Sequence, residues 1–507
     1  MRSKKAFINM IAAIVSEVIT VVCGLILPRL ILNAFGSSYN GITSSITQFL
    51  SCVALLRAGV SGVTRAALYK PLAEDNPAEV SAIINATESF MRKVSYIFVA
   101  SLLGFSCLYP FLVRYEFSWM FSFSLVLILG ISTFIQYYFG ITYQMLLQAD
   151  QKQYIVSIVD SFSIVANTVL AATLIRSGAG IHTVKLGSAA AFSITPVFLY
   201  FYVRKKYGID KSIPPNKKAI EQRWDAFWQS VAFFVHENTD VMVLTCFADI
   251  KEVSVYTVYN YVIANIRNII RTFVVGFGSA FGNMLARKEY DVAGQNLKIY
   301  ELIIFNLTAI IYTTAGIMIV PFVMVYTNGV IDVNYSRPLY ALIATVAGAF
   351  SCVRIPYQTV VEAAGHFKQT KNGAFIEASL NLIISIITVI RFGLIGVAIG
   401  TLVATCYRSV QYSTYLSKNI IKRSQWFFWQ HIIINCVIAI ASALISSAFI
   451  RIEILNFFLW AEKAFLVVLI SALLTLVFDI IFYFGDLKTM IKKLFQAMKK
   501  RQKGEQT

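Results

Sequence analysis

The chain alternates long apolar runs with short polar breaks. The runs cover 7–32, 41–68, 94–113, 119–138, 154–175 and 183–203. A second set covers 227–247, 255–285, 299–325, 338–361, 375–392 and 394–416, and a last pair covers 431–450 and 458–483. Most reach about twenty residues, enough for an α-helix to cross a hydrocarbon core about 30 Å thick. Lipid offers no partner to an open backbone group, so such runs predict helices that close their own hydrogen bonds. The pattern predicts an all-α polytopic membrane protein with about 14 transmembrane helices and little mass outside the bilayer.

Composition agrees. Of 507 residues, 57% are hydrophobic and only 14% charged, against about 25% charged in soluble domains. A net charge of +18 would suggest nucleic acid in a soluble protein. Here the basic residues sit in short loops and at the termini, so no nucleic-acid partner is expected. With the N-terminus inside, about 31 Lys and Arg fall on cytoplasmic segments, Arg408 to Arg423 among them, and about 9, including Lys185, at the outer ends. That asymmetry predicts that both termini are cytoplasmic. Met1 to Lys5 resembles a signal-peptide start, but the run behind it carries Glu17 and continues to Leu32, so it reads as a retained first span. The seven cysteines all lie inside apolar runs without a CxxC pair. They read as small core residues, with no disulfide framework, metal site or cofactor.

Five regions follow: a six-helix lobe at 1–203, a basic cytoplasmic linker at 204–226, a second six-helix lobe at 227–417, two further helices at 418–485, and a basic tail at 486–507 suited to anionic lipid. The polar stretch 70–92 reads as an interfacial helix. A weak internal repeat supports the two lobes. Phe35-Gly36 and Phe247-Ala248 open comparable stretches; each then reaches arginine (Arg57; Arg267 and Arg271) and a run of glycines. This suggests two bundles related about an axis along the membrane normal, although close packing also favours glycine.

Four arginines fall within the predicted helices: Arg57, Arg267, Arg271 and Arg354. Each costs about 3 kcal/mol at mid-bilayer on insertion scales, so each needs water or a partner. Arg267 and Arg271 are one turn apart on one face, and Asn260 adds polar character to the same helix. One reading is a cationic cavity for a phosphate or pyrophosphate. The other is snorkelling, or pairing with a buried acid such as Glu17 or Asp160. His236, Glu237 and Asp240 form a second cluster at helical spacing. With Glu17 and Asp160 they are candidates to hold a coupling Na⁺ or H⁺; neutralising the arginines is the competing role. One histidine with two acids is a poor zinc set. Tyr256, Tyr259 and Tyr261 suit an interfacial belt better than a sugar platform.

The stretches 27–68 and 240–262 resemble bacterial polysaccharide flippases, the polysaccharide transporters of the multidrug/oligosaccharidyl-lipid/polysaccharide exporter superfamily. The likeness extends along the chain in helix number and in the six-plus-six-plus-two layout. It implies a MATE-like fold of two six-helix lobes around a central cavity, in a bacterial plasma membrane. The implied activity is transfer of an undecaprenyl-pyrophosphate-linked oligosaccharide to the outer leaflet by alternating access. Glycan polymerases or other assembly proteins are candidate partners, besides membrane lipid. It implies cavity arginines, matched by Arg57 in helix 2 and by Arg267 or Arg271 in helix 8. Asn33 stands where lipid II flippases tend to carry arginine, with Arg29 one turn earlier, which favours another glycan. The rival readings are a multidrug or cation antiporter of the same fold, against which the four arginines weigh, and a membrane glycosyltransferase or polymerase. Such an enzyme needs acids on sizeable outer loops; here Asp249, Glu252 and Asp332 are the few available. A non-enzymatic transporter is the expectation.

Overall fold

Regular structure among the described residues is entirely helical. The computed structural model describes residues 2–53, 55–220, 238–272, 277–449 and 456–492. The helices are α1 (Arg2–Phe35), α2 (Ser37–Val53), α3 (Leu55–Ala73), α4 (Pro77–Leu108), α5 (Trp119–Ile135), α6 (Ile141–Ala149), α7 (Gln153–Arg176), α8 (Ile181–Phe192) and α9 (Ile194–Tyr207). A segment at 238–247, here α10, comes next. The rest are α11 (Ile250–Thr272), α12 (Phe277–Ala286), α13 (Tyr290–Tyr326), α14 (Pro338–Val353), α15 (Ile355–Ala363), α16 (Phe367–Phe392), α17 (Leu394–Asn419), α18 (Trp426–Phe449) and α19 (Phe457–Phe482).

Among the described residues, 11 helices or joined helix pairs are long and apolar enough to cross a membrane, and the protein is a multi-pass membrane protein. The predicted runs 41–68 and 255–285 appear as α2 with α3 and as α11 with α12. Residue 54 and residues 273–276, which separate them, lie outside the described residues, as does most of 227–247. Lipid as solvent explains the outer surface: Leu444, Phe465 and Leu473 are 65%, 62% and 62% exposed. Hydroxyls inside the helices return to their own backbone, as when Thr308 donates to the Ile304 carbonyl at 2.7 Å and Thr345 to that of Ala341 at 2.6 Å.

Several boundaries differ from the hydropathy reading, each for a local reason. The run predicted to end at 138 continues through a π-turn, Gln136–Gly140, into α6. Gln144 and Gln148 dilute its hydropathy, yet Met145, Leu146 and Leu147 are buried. The stretch 70–92 is no separate interfacial helix. It is divided between α3 and α4, where Asn76 caps the second by accepting from the Glu79 N–H at 3.1 Å. The runs 183–203 and 338–361 are broken at Ser193 and Arg354, just ahead of Pro196 and Pro356. Proline lacks the N–H that would close the turn before it.

The chain divides into two compact units. Unit 1 comprises Met1–Val255 with Gly329–Val333, and unit 2 comprises Tyr256–Asn328 with Asn334–Thr507. In unit 1, α1 packs along α7, α7 along α8, and α4 along α3 and α5. One core cluster gathers Leu68, Ile84, Tyr143, Leu147, Leu199 and Val203. The linker is held to this unit: Asn85 donates to the Asp210 and Ile213 carbonyls at 2.8 and 2.9 Å. In unit 2, α13 packs against α14, α18 and α19, and α16 lies along α17.

Candidate functional site

Unit 1 contains two adjoining cavities that share Ser132, Thr133, Gln136 and Phe192 in their walls. The first, about 320 Å³, reaches Gly140, Asp160, Ser163 and Thr195. Ser163 and Thr195 share a hydroxyl hydrogen bond of 2.8 Å, and Asp160 lies in hydrogen-bond reach of Thr195. The second, about 380 Å³, is walled by Thr47, Ser51, Ser188 and Lys185. A further node involves Glu88, 6% exposed on α4. It accepts from Arg92 at 2.5 Å and from the Tyr143 hydroxyl at 3.3 Å. Asp332, from the connection between α13 and α14, accepts from the Ser37 N–H and hydroxyl, both at 2.7 Å. That anchors the N-terminus of α2, where a carboxylate also suits the helix dipole.

In unit 2, α11 is pinned by Tyr259, whose hydroxyl donates to the Tyr335 carbonyl at 2.7 Å while its ring meets Tyr340 edge-on at 5.3 Å. Asn260, Arg267 and Arg271 follow at helical spacing on one side, all half-buried. Both guanidiniums lie within electrostatic reach of the buried Tyr312 and Cys352. Arg354, at the break between α14 and α15, is buried and donates to Glu377 at 2.5 Å. The other oxygen of Glu377 faces Arg408 Nε at 3.4 Å. Arg408 also donates to the Thr370 carbonyl at 3.0 Å and the Tyr412 hydroxyl at 2.8 Å. Glu301, 1% exposed, receives both terminal nitrogens of Arg423, with Tyr357 beside the pair. Asp479 on α19 accepts from Asn306 at 2.5 Å.

The sequence-selected residues are therefore distributed over several sites. Arg267, Arg271 and Asn260 share one face of α11. Arg354 is neutralised by Glu377 within the fold. Arg408, counted above with the cytoplasmic loops, is buried in α17, because Glu377 and Thr370 meet its guanidinium where lipid would not. Asp160 borders a cavity, Asp240 is half-buried at the start of α10, and Glu17 is exposed on α1. The Arg57 side chain, His236 and Glu237 lie outside the described residues.

A second repeat, not recognised in the sequence, organises these charges. Glu301 stands as far into α13 as Glu88 does into α4. Tyr357 stands as far before the end of α15 as Tyr143 does before the end of α6, and each attends its own buried glutamate. The signal was present as Ile141-Thr142-Tyr143-Gln144 against Ile355-Pro356-Tyr357-Gln358. Counted the same way, Gly140, Ser163 and Thr195 correspond to Arg354, Glu377 and Arg408. Where unit 1 keeps a cavity, unit 2 carries an Arg–Glu–Arg triad.

No family model and no curated protein matches the chain. Among solved structures it is similar to the lipid II flippase MurJ in an inward closed conformation, with a TM-score of 0.71 and 15% identity, covering 94% of this chain and 99% of that one. It is also similar to an inward-facing multidrug resistance MATE family transporter of the MOP superfamily, with a TM-score of 0.59 and 14% identity over 79% of this chain and 95% of that one. The Vibrio cholerae MATE transporter VcmN follows at 0.55 and 12%, over 84% and 98%. The fold is thus MurJ- and MATE-like.

Proposed function

We propose that this protein is a flippase that carries an undecaprenyl-pyrophosphate-linked oligosaccharide from the inner to the outer leaflet of a bacterial plasma membrane, for polysaccharide biosynthesis. The observation that carries the reading is the Arg267/Arg271 pair on α11. Two half-buried guanidiniums one turn apart concentrate positive charge on one face of α11, and a pyrophosphate supplies charge and acceptors for both. The fold shared with a lipid II flippase supports this reading. The polyprenyl tail stays in lipid while the head group crosses by alternating access. A Na⁺ or H⁺ at Asp160 biases the cycle by binding one state better than the other.

The test is transport in proteoliposomes loaded with an undecaprenyl-pyrophosphate oligosaccharide, read by access of an external glycan-modifying reagent. Arg267→Ala with Arg271→Ala is expected to slow crossing by at least about tenfold, since charge-assisted contacts to a buried anion are worth about 1.5–3 kcal/mol. Equal rates at equal protein levels reject the assignment. Export of an organic cation by the same vesicles would instead favour the antiporter reading.

A further inference from the structure

Lys185 is a charge that the scaffold does not require. Gly187 and Gly400 stand equally far into α8 and α17, and each packs on the helix before it, against Leu174 and Ser385 respectively. In that register Ala398, 4% exposed, occupies in unit 2 the place that Lys185 holds in unit 1. Asp160 likewise corresponds to Ala374, counting from the starts of α7 and α16. Alanine therefore satisfies the packing at both positions. In unit 1 a lysine faces a cavity of about 380 Å³ instead. No carboxylate among the described residues lies in contact with its ammonium.

Its wall combines hydroxyl-bearing residues with the apolar side chains of Leu27, Leu50, Leu129 and Phe192, and Lys185 is the charged residue in it. Thr47, Ser51, Ser132, Thr133 and Ser188 line the same space; the Thr47, Ser51 and Ser188 hydroxyls donate to the Thr43, Gln48 and Val184 carbonyls and keep their oxygens as acceptors. An ammonium beside hydroxyls and apolar side chains matches a small ligand with one anionic group, several hydroxyls and an apolar ring face. The volume falls in the range of small-molecule sites, about 300–1,000 Å³, and suits one sugar unit better than a whole oligosaccharide.

We propose that this cavity is a subsite for a carboxylated sugar, a uronic acid residue of the transported glycan, with Lys185 holding its carboxylate and the hydroxyls its ring. The inference rests on the flippase reading and deepens it: the protein would select acidic glycans over neutral ones. The pyrophosphate is assigned elsewhere, to the α11 arginines, so the two assignments fail separately.

The experiment uses the full chain in lipid nanodiscs and measures affinity for methyl glucuronide, methyl glucoside and inorganic pyrophosphate. Glucuronide is expected to bind at least about tenfold more tightly than glucoside, the worth of one charge-assisted contact. Lys185→Ala is expected to abolish that preference and leave pyrophosphate affinity unchanged. Lys185→Arg, which keeps the charge, is expected to restore it, and ligand-free melting curves establish that the variants fold. Arg267→Ala with Arg271→Ala is expected to weaken pyrophosphate alone. Equal affinity of the parent for glucuronide and glucoside overturns the subsite. So does a preference that survives Lys185→Ala, or one in which pyrophosphate and not glucuronide depends on Lys185. A loss of pyrophosphate binding in the α11 variant with no glucuronide preference anywhere would leave the flippase reading standing and remove only the subsite.

Discussion

The two halves of the chain solve one packing problem in opposite ways. Around corresponding positions, unit 1 has Gly140, Ser163 and Thr195 lining a cavity of about 320 Å³, whereas unit 2 has Arg354, Glu377 and Arg408 joined by ion pairs at 2.5 and 3.4 Å. Small residues leave a polar space that Asp160 enters. Large charged ones fill it and consume each other's charge. Common to both halves is a buried glutamate on the long α4 or α13 with a tyrosine at its side. The shared node reads as scaffold; at the position where the halves diverge, unit 1 leaves a cavity and unit 2 an ion-paired brace.

The sharpest way to break this comparison is to remove the centre of the brace. Glu377→Gln leaves two guanidiniums, each with under 8% of its side chain exposed, facing a neutral amide. Breaking a buried pair in this manner costs about 3–5 kcal/mol. Ser163→Ala, at the matching position, removes one hydroxyl bond and is expected to cost about 1 kcal/mol. Chemical denaturation in detergent compares the two directly. Similar losses would mean that the triad braces nothing.

The all-helical fold and most spans were legible because lipid imposes a simple rule on length and apolarity. The charges that matter least to that rule were the hardest to place. Arg408 and Arg423 sat close enough to a predicted helix end to pass for loop residues, and only the three-dimensional positions of Glu377 and Glu301 reveal them as buried partners. Arg354 was recognised as intramembrane, but no local pattern identifies a partner on another helix. Lys185 looked like an outer-end cation, because hydropathy reports depth and not which way a side chain faces. The second repeat was missed because its most visible trace is one short tyrosine-glutamine pattern. The rest resides in offsets along helices whose sequences have diverged.

The common node supplies the next prediction. Glu301, with 1% of its side chain exposed, takes both terminal nitrogens of Arg423, itself 10% exposed. Glu88 pairs with Arg92, whose side chain is 37% exposed. Water screens the second pair and not the first. Glu301→Gln is therefore expected to cost about 3 kcal/mol, and Glu88→Gln about 1 kcal/mol. Midpoints of unfolding measured on both variants decide it. Equal losses would show that both glutamates are braces of the same kind and would remove one asymmetry between the halves.

A further effect, smaller than the loss of either buried glutamate in unit 2, concerns how the open half stays open. A Cβ built on Gly140 would come within 2.4 Å of Pro196 Cβ and 2.8 Å of its Cα. The π-turn thus lies almost against the proline that breaks the α8–α9 span, and glycine is needed for that close approach. Gly140→Ala must push α9 outward, at about 2 kcal/mol for overpacking of this size. Because Thr195 directly precedes Pro196, the same shift moves Thr195 away from Ser163 and alters the cavity. Stability and labelling of a cysteine introduced at Ser163 are expected to change together, the first falling and the second rising. A stable variant with unaltered labelling would mean that the cavity is not held open by this contact, and the contrast with the Arg354 position would then be one of side-chain volume alone.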